Sequence, residues 1–318
     1  MTQGPALSPL FCGFDDSADQ TRFLAAAWGS SARAAGTLPS VCIAGAHRFP
    51  DGEVRVRLDL EGQKNKRAVI CRSLDRPDGK LIELLFAASA LRDQGVEKIA
   101  LVAPYLAYMR QDTAFRPGEA VSQKVMAGLL EGAFDGLVTV DPHLHRVARL
   151  EEVFQRMETG CLSAAGSLAD LLRKENVSPD TLLLGPDAES IHQIGAVAKA
   201  AGLGAVTAIK ERRGDRQVAI SLPDPGQFRD RPVILVDDVI STGQTLIACA
   251  EAALKAGAKS VDAYAVHALY PAQVGKAFTK AGIGRVKSCD GVPHPSNAAP
   301  LAPLLAEGLT ALAEFNRP

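Results

Sequence analysis

The chain has 318 residues, of which 47% are hydrophobic and 22% are charged, and its formal net charge is -1. This composition is typical of folded globular proteins and excludes a largely disordered chain. A net charge this small gives no overall field that attracts nucleic acid or acidic membrane surfaces, so any binding of anions has to be local.

Length and cysteine usage bound the class of protein. A chain of this length favours two domains. The six cysteines form no C-x-x-C pair and most lie in apolar runs, which favours buried thiols in a reducing compartment. The N-terminus is not a convincing signal peptide, and no uncharged apolar stretch is long enough to span a membrane. We therefore expect a cytoplasmic protein without nucleic-acid or membrane partners.

Short apolar runs alternate with helical patterns along the chain. The first half predicts a turn at 50–52 before an alternating strand, then helix 79–96, strand 98–104, helix 120–133 and strand 136–141. The second half predicts strand 181–187, helix 188–202, strands 205–210 and 232–238, helix 243–257, strand 260–270 and a closing helix at 299–315. This alternation is typical of an α/β fold with mainly parallel sheets flanked by helices.

Strands that stop at a carboxylate occur in both halves, at Asp141, Asp187 and Asp237. The repetition is compatible with two copies of one α/β fold. We expect domains at 1–155 and 156–299, with the closing helix packed on the first.

The stretch VILVDDVISTGQTL, from Val233 to Leu246, predicts a binding site. In open parallel sheets, ligands bind at the carboxyl ends of the strands. Ser241, Thr242 and Thr245 offer hydroxyl groups, and Gly243 and Gln244 lie where the next helix begins, at an end that favours phosphate. Carboxylates beside a phosphate site fit a ligand with a phosphate at one end and sugar hydroxyls at the other, with a cation screening the charge. A pentose 5-phosphate has this chemistry.

Further motifs extend the pattern. They are RFPDGEVRVRL from Arg48, PYLAYMRQDTAFRPGEAVS from Pro104, VTVDPHLH from Val138 and LLLGPDAES from Leu182. Together with VILVDDVISTGQTL, in this order, they resemble the ribose-phosphate pyrophosphokinase (PRPP synthetase) family, and their wording is closer to its archaeal-type members. The resemblance implies two phosphoribosyltransferase-like domains. It also implies transfer of pyrophosphate from ATP to ribose 5-phosphate with Mg²⁺, giving 5-phosphoribosyl 1-diphosphate and AMP.

The resemblance assigns a role to individual residues. It implies that Lys210 and Arg212, in a K-x-R pattern on a polar flap, are catalytic, and that His143 and Asp187 hold Mg²⁺. It implies that the ribose 5-phosphate site is formed by Asp237, Asp238, Ser241, Thr242, Gly243, Gln244 and Thr245. For ATP it implies Arg110, Gln111 and Asp112, together with Phe49, Asp51 and Glu53 reaching from a neighbouring subunit. A homodimer or higher homo-oligomer is therefore expected.

Four positions depart from the family pattern. Thr113 and Ala114 stand where basic residues are usual, Ser241 replaces an aspartate common in bacterial members, and Gln244 replaces a small residue beside the phosphate position. These changes leave two alternatives open. One is a non-catalytic or regulatory relative, and the other is a phosphoribosyltransferase that acts on a related sugar phosphate.

Overall fold

The computed structural model describes residues 8–30, 39–60, 65–144, 146–187, 190–213 and 217–317, with the backbone alone described at 210–213 and 217–219. The chain divides into two compact units, one formed by residues 1–162 with 301–318 and the other by residues 163–300. The predicted domain limits, 1–155 and 156–299, stay a prediction.

The first unit is built around one twisted sheet. Its described strands are β1 (Leu10–Phe14), β2 (Val41–Arg48), β3 (Val54–Arg57), β4 (Arg67–Cys71), β5 (Lys98–Val102), β6 (Gly136–Val140) and β7 (Glu158–Leu162). They lie in the order β3-β2-β1-β4-β5-β6-β7, and all neighbours are parallel except β2 and β3, which form an antiparallel hairpin. The central strands are buried, apart from the half-buried first residues of β4 and β5, because helices cover both faces of the sheet.

Three helices connect the strands of this sheet: α1 (Ala18–Gly29), α2 (Pro77–Asp93) and α3 (Ser122–Glu131). Right-handed crossovers place α2 and α3 on one face, since both lead to the next strand in the same direction, and α1 on the other. Buried residues of α2 and α3 pack with the central strands into one hydrophobic core. The predicted helix 79–96 is confirmed as α2, and the chain leaves it at Gly95 with a φ of 87°.

The second unit has a parallel sheet and a separate hairpin. Its described strands are β8 (Leu182–Gly185), β9 (Gly204–Thr207), β10 (Ile209–Arg213), β11 (Gln217–Ser221), β12 (Pro232–Ile240), β13 (Ser260–Ala268), β14 (Ile283–Cys289) and β15 (Asn297–Ala299). The sheet has the order β15-β14-β13-β12-β8-β9, and β10 pairs with β11 in an antiparallel hairpin. The helices of this unit are α4 (Ala165–Lys174), α5 (Ile191–Ala201), α6 (Gln244–Lys255) and α7 (Ala272–Lys280).

The two sheets have the same strand order when the second is written from β9. Then β2, β1, β4, β5, β6 and β7 correspond to β9, β8, β12, β13, β14 and β15. The first sheet has one further strand, β3, which extends the edge beyond β2, whereas β10 and β11 follow β9 as a separate hairpin before the chain returns to β12. The predicted fold class, two α/β units of one topology, is confirmed.

Two closing helices belong to the first unit, α8 (Ala302–Ala311) and α9 (Ala313–Asn316). The single closing helix predicted at 299–315 is therefore wrong in one respect, because Leu312 has extended backbone with a ψ of 99° and separates the two. Glu158 of β7 accepts hydrogen bonds from the N–H groups of Ala313 and Glu314, the latter at 2.9 Å, which fixes the start of α9 on the sheet.

Two other expectations are corrected. The strand predicted at 205–210 is split into β9 and β10: the Ala208 N–H still donates to Gly185 O at 2.8 Å, and from Ile209 onward the chain pairs with β11 instead. Not every thiol is buried: Cys161 is exposed on the outermost strand of its sheet and Cys42 is half-buried, while the other four are buried. None of the described helices is long and apolar enough to cross a membrane.

Candidate functional site

The acidic pair Asp237 and Asp238 lies in β12, the central strand of the second unit. Val233 to Val236 are buried, and β8 and β13 pair with the strand on its two sides. The expectation that the strand ends at the carboxylates is wrong. β12 continues to Ile240, because Val239 and Ile240 keep their register with β13 and are themselves buried.

The carboxyl groups of this pair are electrostatically coupled. The Asp238 N–H donates to Asp237 Oδ1 at 3.0 Å, and the Val239 N–H donates to Asp238 Oδ1 at 2.7 Å. Burial raises the pKa of Asp237 well above its ordinary value, and the negative charges of Asp238 and Asp187 raise it further. The site therefore concentrates negative charge that a cation or hydroxyl donors would stabilise.

Gly243 shapes the loop that follows β12. Its φ is 73°, and a Cβ atom there would lie 2.4 Å from Cε1 of Phe278 and 3.0 Å from Cγ1 of Val274. Both the backbone conformation and the close approach of α7 therefore require glycine. The first helical bond of α6 runs from the Ile247 N–H to Gly243 O at 3.0 Å.

The start of α6 has the geometry of an anion site. The N–H groups of Gln244, Thr245 and Leu246 have no partner within the helix, and the dipole adds partial positive charge at this end. Gln244 is exposed, so its side chain does not fill the loop. Ser241 and Thr245 are half-buried and Thr242 is exposed, so all three hydroxyl groups lie where solvent or a ligand has access.

Asp187 follows β8 at the same carboxyl edge of the sheet. Its carboxylate accepts the Ser190 N–H at 3.3 Å, and its carbonyl accepts the Ser190 hydroxyl at 2.6 Å. Gly185 permits this turn, since a Cβ atom there would lie 2.3 Å from Ser190 Oγ. Because the charge of Asp187 contributes to the raised pKa of Asp237, the structure brings these two predicted site residues together.

Lys210 and Arg212 lie on β10, opposite Ile220 and Val218 of β11. The predicted polar flap is therefore a β-hairpin as far as its backbone is described. The side chains of Lys210 and Arg212 lie outside the described part of the chain, so their catalytic role stays a prediction.

The predicted ATP motif lies in the first unit, between β5 and α3. Tyr108 has a φ of 65° and donates its hydroxyl to Asp78 at 2.5 Å, which fixes the bend before Arg110. Arg110 is exposed. Gln111 is held at the start of α3, where its carbonyl accepts the Gln123 N–H at 3.2 Å and its Oε1 accepts the Ser122 hydroxyl at 2.5 Å.

Asp112 is bound within its own unit. Its side chain is 1% exposed, and its two oxygens accept the Arg146 N–H at 3.0 Å and Arg146 Nη1 at 2.7 Å. Burial raises the pKa of this carboxyl, but the hydrogen bonds from Arg146 outweigh burial, so the pKa lies below its ordinary value. Asp112 thus ties the ATP motif to the segment after β6. Its role as an ATP ligand stays a prediction.

The hairpin between β2 and β3 carries the other predicted ATP residues. The Phe49 N–H donates to Glu53 O at 2.8 Å, the Gly52 N–H to Phe49 O at 3.0 Å and the Glu53 N–H to Asp51 Oδ1 at 3.1 Å. Gly52 has a φ of 95°, so the predicted turn is confirmed. Phe49, Asp51 and Glu53 are all exposed at its tip.

The predicted metal ligands lie in different units. His143 is half-buried and follows β6, where Asp141 has a φ of 39°, and Asp187 follows β8. The described residues contain no cluster of three or more histidine, cysteine or acidic side chains with the geometry of a metal site. The assignment of His143 and Asp187 to Mg²⁺ therefore stays a prediction.

Two residues at these sites escaped the sequence analysis. Arg146 was missed because an arginine in a polar loop carries no local signal of a partner 34 positions away. Phe278 had a weak signal, since it is an aromatic residue at the buried face of the short helix α7, but nothing in the sequence connects it to Gly243.

Two family descriptions match the chain. Residues 38–133 match the N-terminal domain of ribose phosphate pyrophosphokinase, and residues 158–290 match the phosphoribosyl transferase domain. The first segment contains the hairpin and the ATP motif, and the second contains the acidic pair and the loop before α6.

Named relatives span both units. The chain is 33% identical to ribose-phosphate pyrophosphokinase of Methanopyrus kandleri over 265 residues, which is 82% of this chain and 88% of the relative. It is 33% identical to the enzyme of that name from Thermococcus kodakarensis over 223 residues, 70% of this chain and 76% of the relative. The crystal structure of phosphoribosylpyrophosphate synthetase from Mycobacterium smegmatis shares the fold, with a TM-score of 0.77, 22% identity and coverage of 96% and 99% of the two chains.

The match to the first of these relatives covers 88% of that protein, and the two family descriptions together span the arginine motif after β5, the acidic pair of β12 and the glycine loop before α6. The chain belongs to the ribose-phosphate pyrophosphokinase family.

Proposed function

We propose that the chain is a ribose-phosphate diphosphokinase, which transfers the pyrophosphoryl group of ATP to the 1-hydroxyl of ribose 5-phosphate. The products are 5-phosphoribosyl 1-diphosphate and AMP. One observation carries the proposal beyond family membership: β12 places Asp237 and Asp238 directly before a glycine turn and the open N-terminus of α6. This order of groups matches a ligand with hydroxyls at one end and a phosphate at the other.

Ribose 5-phosphate binding follows from the chemistry of these groups. The carboxylates of Asp237 and Asp238 accept hydrogen bonds from the ribose hydroxyls, and the N–H groups at the start of α6 donate to the 5-phosphate. Thr242 and Thr245 add hydroxyl donors. The exposed side chain of Gln244 leaves the loop open, so its departure from the family pattern does not block the phosphate.

ATP binding is assigned to the first unit. Arg110 is exposed, and its planar guanidinium donates to phosphate oxygens in pairs. Gln111 is held in place by Ser122 and Gln123, which supports a role in contacting adenine. Phe49 at the hairpin tip offers an exposed aromatic face for the base of a nucleotide bound by a neighbouring subunit.

The carboxylates fit a divalent cation. Burial together with the charges of Asp238 and Asp187 raises the pKa of Asp237. A cation among these carboxylates would favour their charged forms and so lower this pKa again. We propose Asp187 and His143 as ligands, each in its own unit. Mg²⁺, when bound, neutralises negative charge on the phosphates of ATP.

In the proposed reaction, O1 of ribose 5-phosphate forms a bond to the β-phosphorus of ATP as the bond to the α–β bridging oxygen breaks. The electron pair leaves with AMP, and the proton of the 1-hydroxyl passes to solvent. Lys210 and Arg212 donate to the phosphoryl oxygens during this exchange. Positioning and charge neutralisation account for most of the rate in such transfers.

A homo-oligomer in the cytoplasm is part of the proposal. The helices α2 and α3 lie on one face of the first unit and each carries an exposed apolar pair: Ile82 and Phe86, and Val125 and Leu129. Exposed apolar groups on neighbouring helices favour burial against a second copy of the chain.

The test measures AMP and 5-phosphoribosyl 1-diphosphate from ATP, ribose 5-phosphate and Mg²⁺, with an established synthetase as positive control. The expected result is equal amounts of both products, and none without the sugar phosphate. Turnover that needs a base or phosphate instead of ATP would favour a phosphoribosyltransferase. Nucleotide binding without any turnover would favour the non-catalytic alternative.

A further inference from the structure

Arg48, the last residue of β2, contacts two separate parts of the first unit. Its Nη2 donates to Glu83 Oε1 at 2.9 Å, and its Nη1 donates to Gly52 O at 3.4 Å. Glu83 lies on α2, while Gly52 lies at the tip of the β2–β3 hairpin. One guanidinium group therefore joins the tip of the hairpin to a helix of the core.

Glu83 is itself firmly held. Its side chain is 9% exposed, and Oε2 lies 2.8 Å from Nη1 of Arg72, whose side chain is 7% exposed. Arg72 also donates from Nε to Asp16 Oδ1 at 3.0 Å and lies 4.0 Å above the ring of Phe14. A buried carboxylate must keep its charged partners, since losing one leaves an uncompensated charge. Glu83 is therefore a fixed anchor.

The strands of the hairpin are held by their neighbours, since β2 pairs with β1 and β3 packs against α2, whereas the tip has fewer restraints. β3 has four residues and lies at the edge of the sheet, where it pairs with β2. Two backbone hydrogen bonds close the tip, between Phe49 and Glu53 and between Gly52 and Phe49. Short edge hairpins have low local stability, so a side chain that fastens the tip to the core restricts its conformations.

We propose that the pair of Arg48 and Glu83 is a clamp that positions the hairpin tip for the nucleotide, and that Arg48 is a positioning residue for ATP. The inference rests on the proposed function, because it assumes that Phe49, Asp51 and Glu53 contact ATP. Fixing these residues before ATP binds removes an ordering cost from the binding free energy. Ribose 5-phosphate, assigned to the second unit, does not depend on the clamp.

Kinetics test the clamp through three variants. Arg48→Ala removes the guanidinium at a side chain that is 55% exposed, and Glu83 keeps Arg72 as a charged partner, so the fold is expected to persist. Arg48→Lys keeps the charge but lacks the fork that bonds to Glu83 and Gly52 together. Arg57→Ala is the matched control, since Arg57 lies on the same hairpin, is 76% exposed and bonds to its neighbour Asp59.

The expected result for Arg48→Ala is a KM for ATP raised about tenfold, with kcat and the KM for ribose 5-phosphate within about twofold, as for loss of preorganisation. The KM for ATP of Arg48→Lys is expected to lie between those of wild type and Arg48→Ala. The KM for ATP of Arg57→Ala is expected to match that of wild type. An unchanged KM for ATP in Arg48→Ala, or a fall in kcat with both KM values altered, overturns the proposal.

Hydrogen exchange gives a readout that does not need activity. In the nucleotide-free protein, amide exchange at residues 49–53 is expected to be faster in Arg48→Ala than in wild type and Arg57→Ala, with the core of α2 unchanged. A raised KM for ATP without faster exchange means that Arg48 contacts the nucleotide directly, and this also overturns the clamp. If the wild type forms no AMP, the proposed function fails, and exchange alone still decides whether Arg48 fastens the hairpin.

Discussion

Phe278 of α7 lies directly beneath Gly243, so close that a Cβ atom on Gly243 would be 2.4 Å from the ring. The φ of 73° at Gly243 adds a second reason for glycine. Gly243→Ala is expected to displace the loop before α6 and raise the KM for ribose 5-phosphate at least tenfold, at a cost in unfolding free energy of about 1–3 kcal/mol. Steady-state kinetics and chemical denaturation measure both.

The variant Gly202→Ala separates the effect of backbone strain from the effect of the clash with Phe278. Gly202 ends α5 with a φ of 71°, nearly that of Gly243, but nothing lies within 4 Å of the position of its Cβ. This variant has the same backbone strain without a clash, so it is expected to lose stability while its KM for ribose 5-phosphate stays at the wild-type value. Equal KM values in the two variants would show that Phe278 does not shape the loop.

Asp112 gives a prediction about pH. Its pKa lies below the ordinary value near 3.8 because of Arg146, so the folded state holds the charged form more tightly than the unfolded state. The contribution of the Asp112 charge to the unfolding free energy is therefore complete above the ordinary pKa, and it is lost as the pH falls through the lowered folded-state pKa. Asp112→Asn is expected to reduce the unfolding free energy at pH 7 by about 1 kcal/mol. This difference between wild type and Asp112→Asn is expected to shrink as the pH falls into the acid range.

Chemical denaturation of wild type and Asp112→Asn between pH 7 and pH 3 checks this expectation. A constant difference across that range would mean that the carboxylate charge is not what Arg146 recognises. Arg146→Ala is the complementary variant, and it is expected to reproduce the neutral-pH loss without the dependence on pH seen in wild type. If Asp112 contacts ATP as well, the KM for ATP will rise in Asp112→Asn far more than in Arg146→Ala.

Those strands and helices that the sequence predicted were readable because they depend on local patterns, whereas β1, α1 and β4 of the first unit and α4 and α7 of the second were not predicted. The buried runs at 99–102 and 233–236 and the glycines at 95 and 257 mark elements whose signals lie within a few residues. The ends of strands were harder to predict from the sequence. β12 continues past Asp237 and Asp238 because β13 supplies partners for Val239 and Ile240, and pairing across a sheet leaves no trace in the strand itself.

The candidate site was predictable where one motif contains it and unpredictable where two segments meet. Asp237 to Thr245 form one stretch, so their grouping could be predicted. Arg146 reaches Asp112 across 34 positions and Glu83 reaches Arg48 across 35, and such pairings depend on the fold. Family resemblance supplies roles for single residues, but it does not supply the partners that hold them.

The exposed apolar pairs on α2 and α3 lead to a prediction about assembly. Phe86→Glu places a charge in the proposed interface, so the apparent dissociation constant is expected to rise at least tenfold. Phe23→Glu is the control, since Phe23 is also exposed but lies on α1, on the other face of the sheet. Sedimentation or light scattering over a range of protein concentrations measures the apparent dissociation constant of each variant. Unchanged assembly in Phe86→Glu would place the interface elsewhere.

The catalytic assignment of Lys210 rests on resemblance and on its place in the β10–β11 hairpin, so a variant is decisive. Lys210→Ala is expected to lower kcat about 10²–10³-fold with both KM values nearly unchanged, because a donor to the transition state is lost while ground-state binding remains. Lys199→Ala, at an exposed position of α5, controls for the loss of a positive charge in the same unit. Retained activity in Lys210→Ala would remove Lys210 from the reaction but leave the diphosphokinase activity standing. A loss shared by Lys199→Ala would instead indicate a general effect of net charge on anionic substrates.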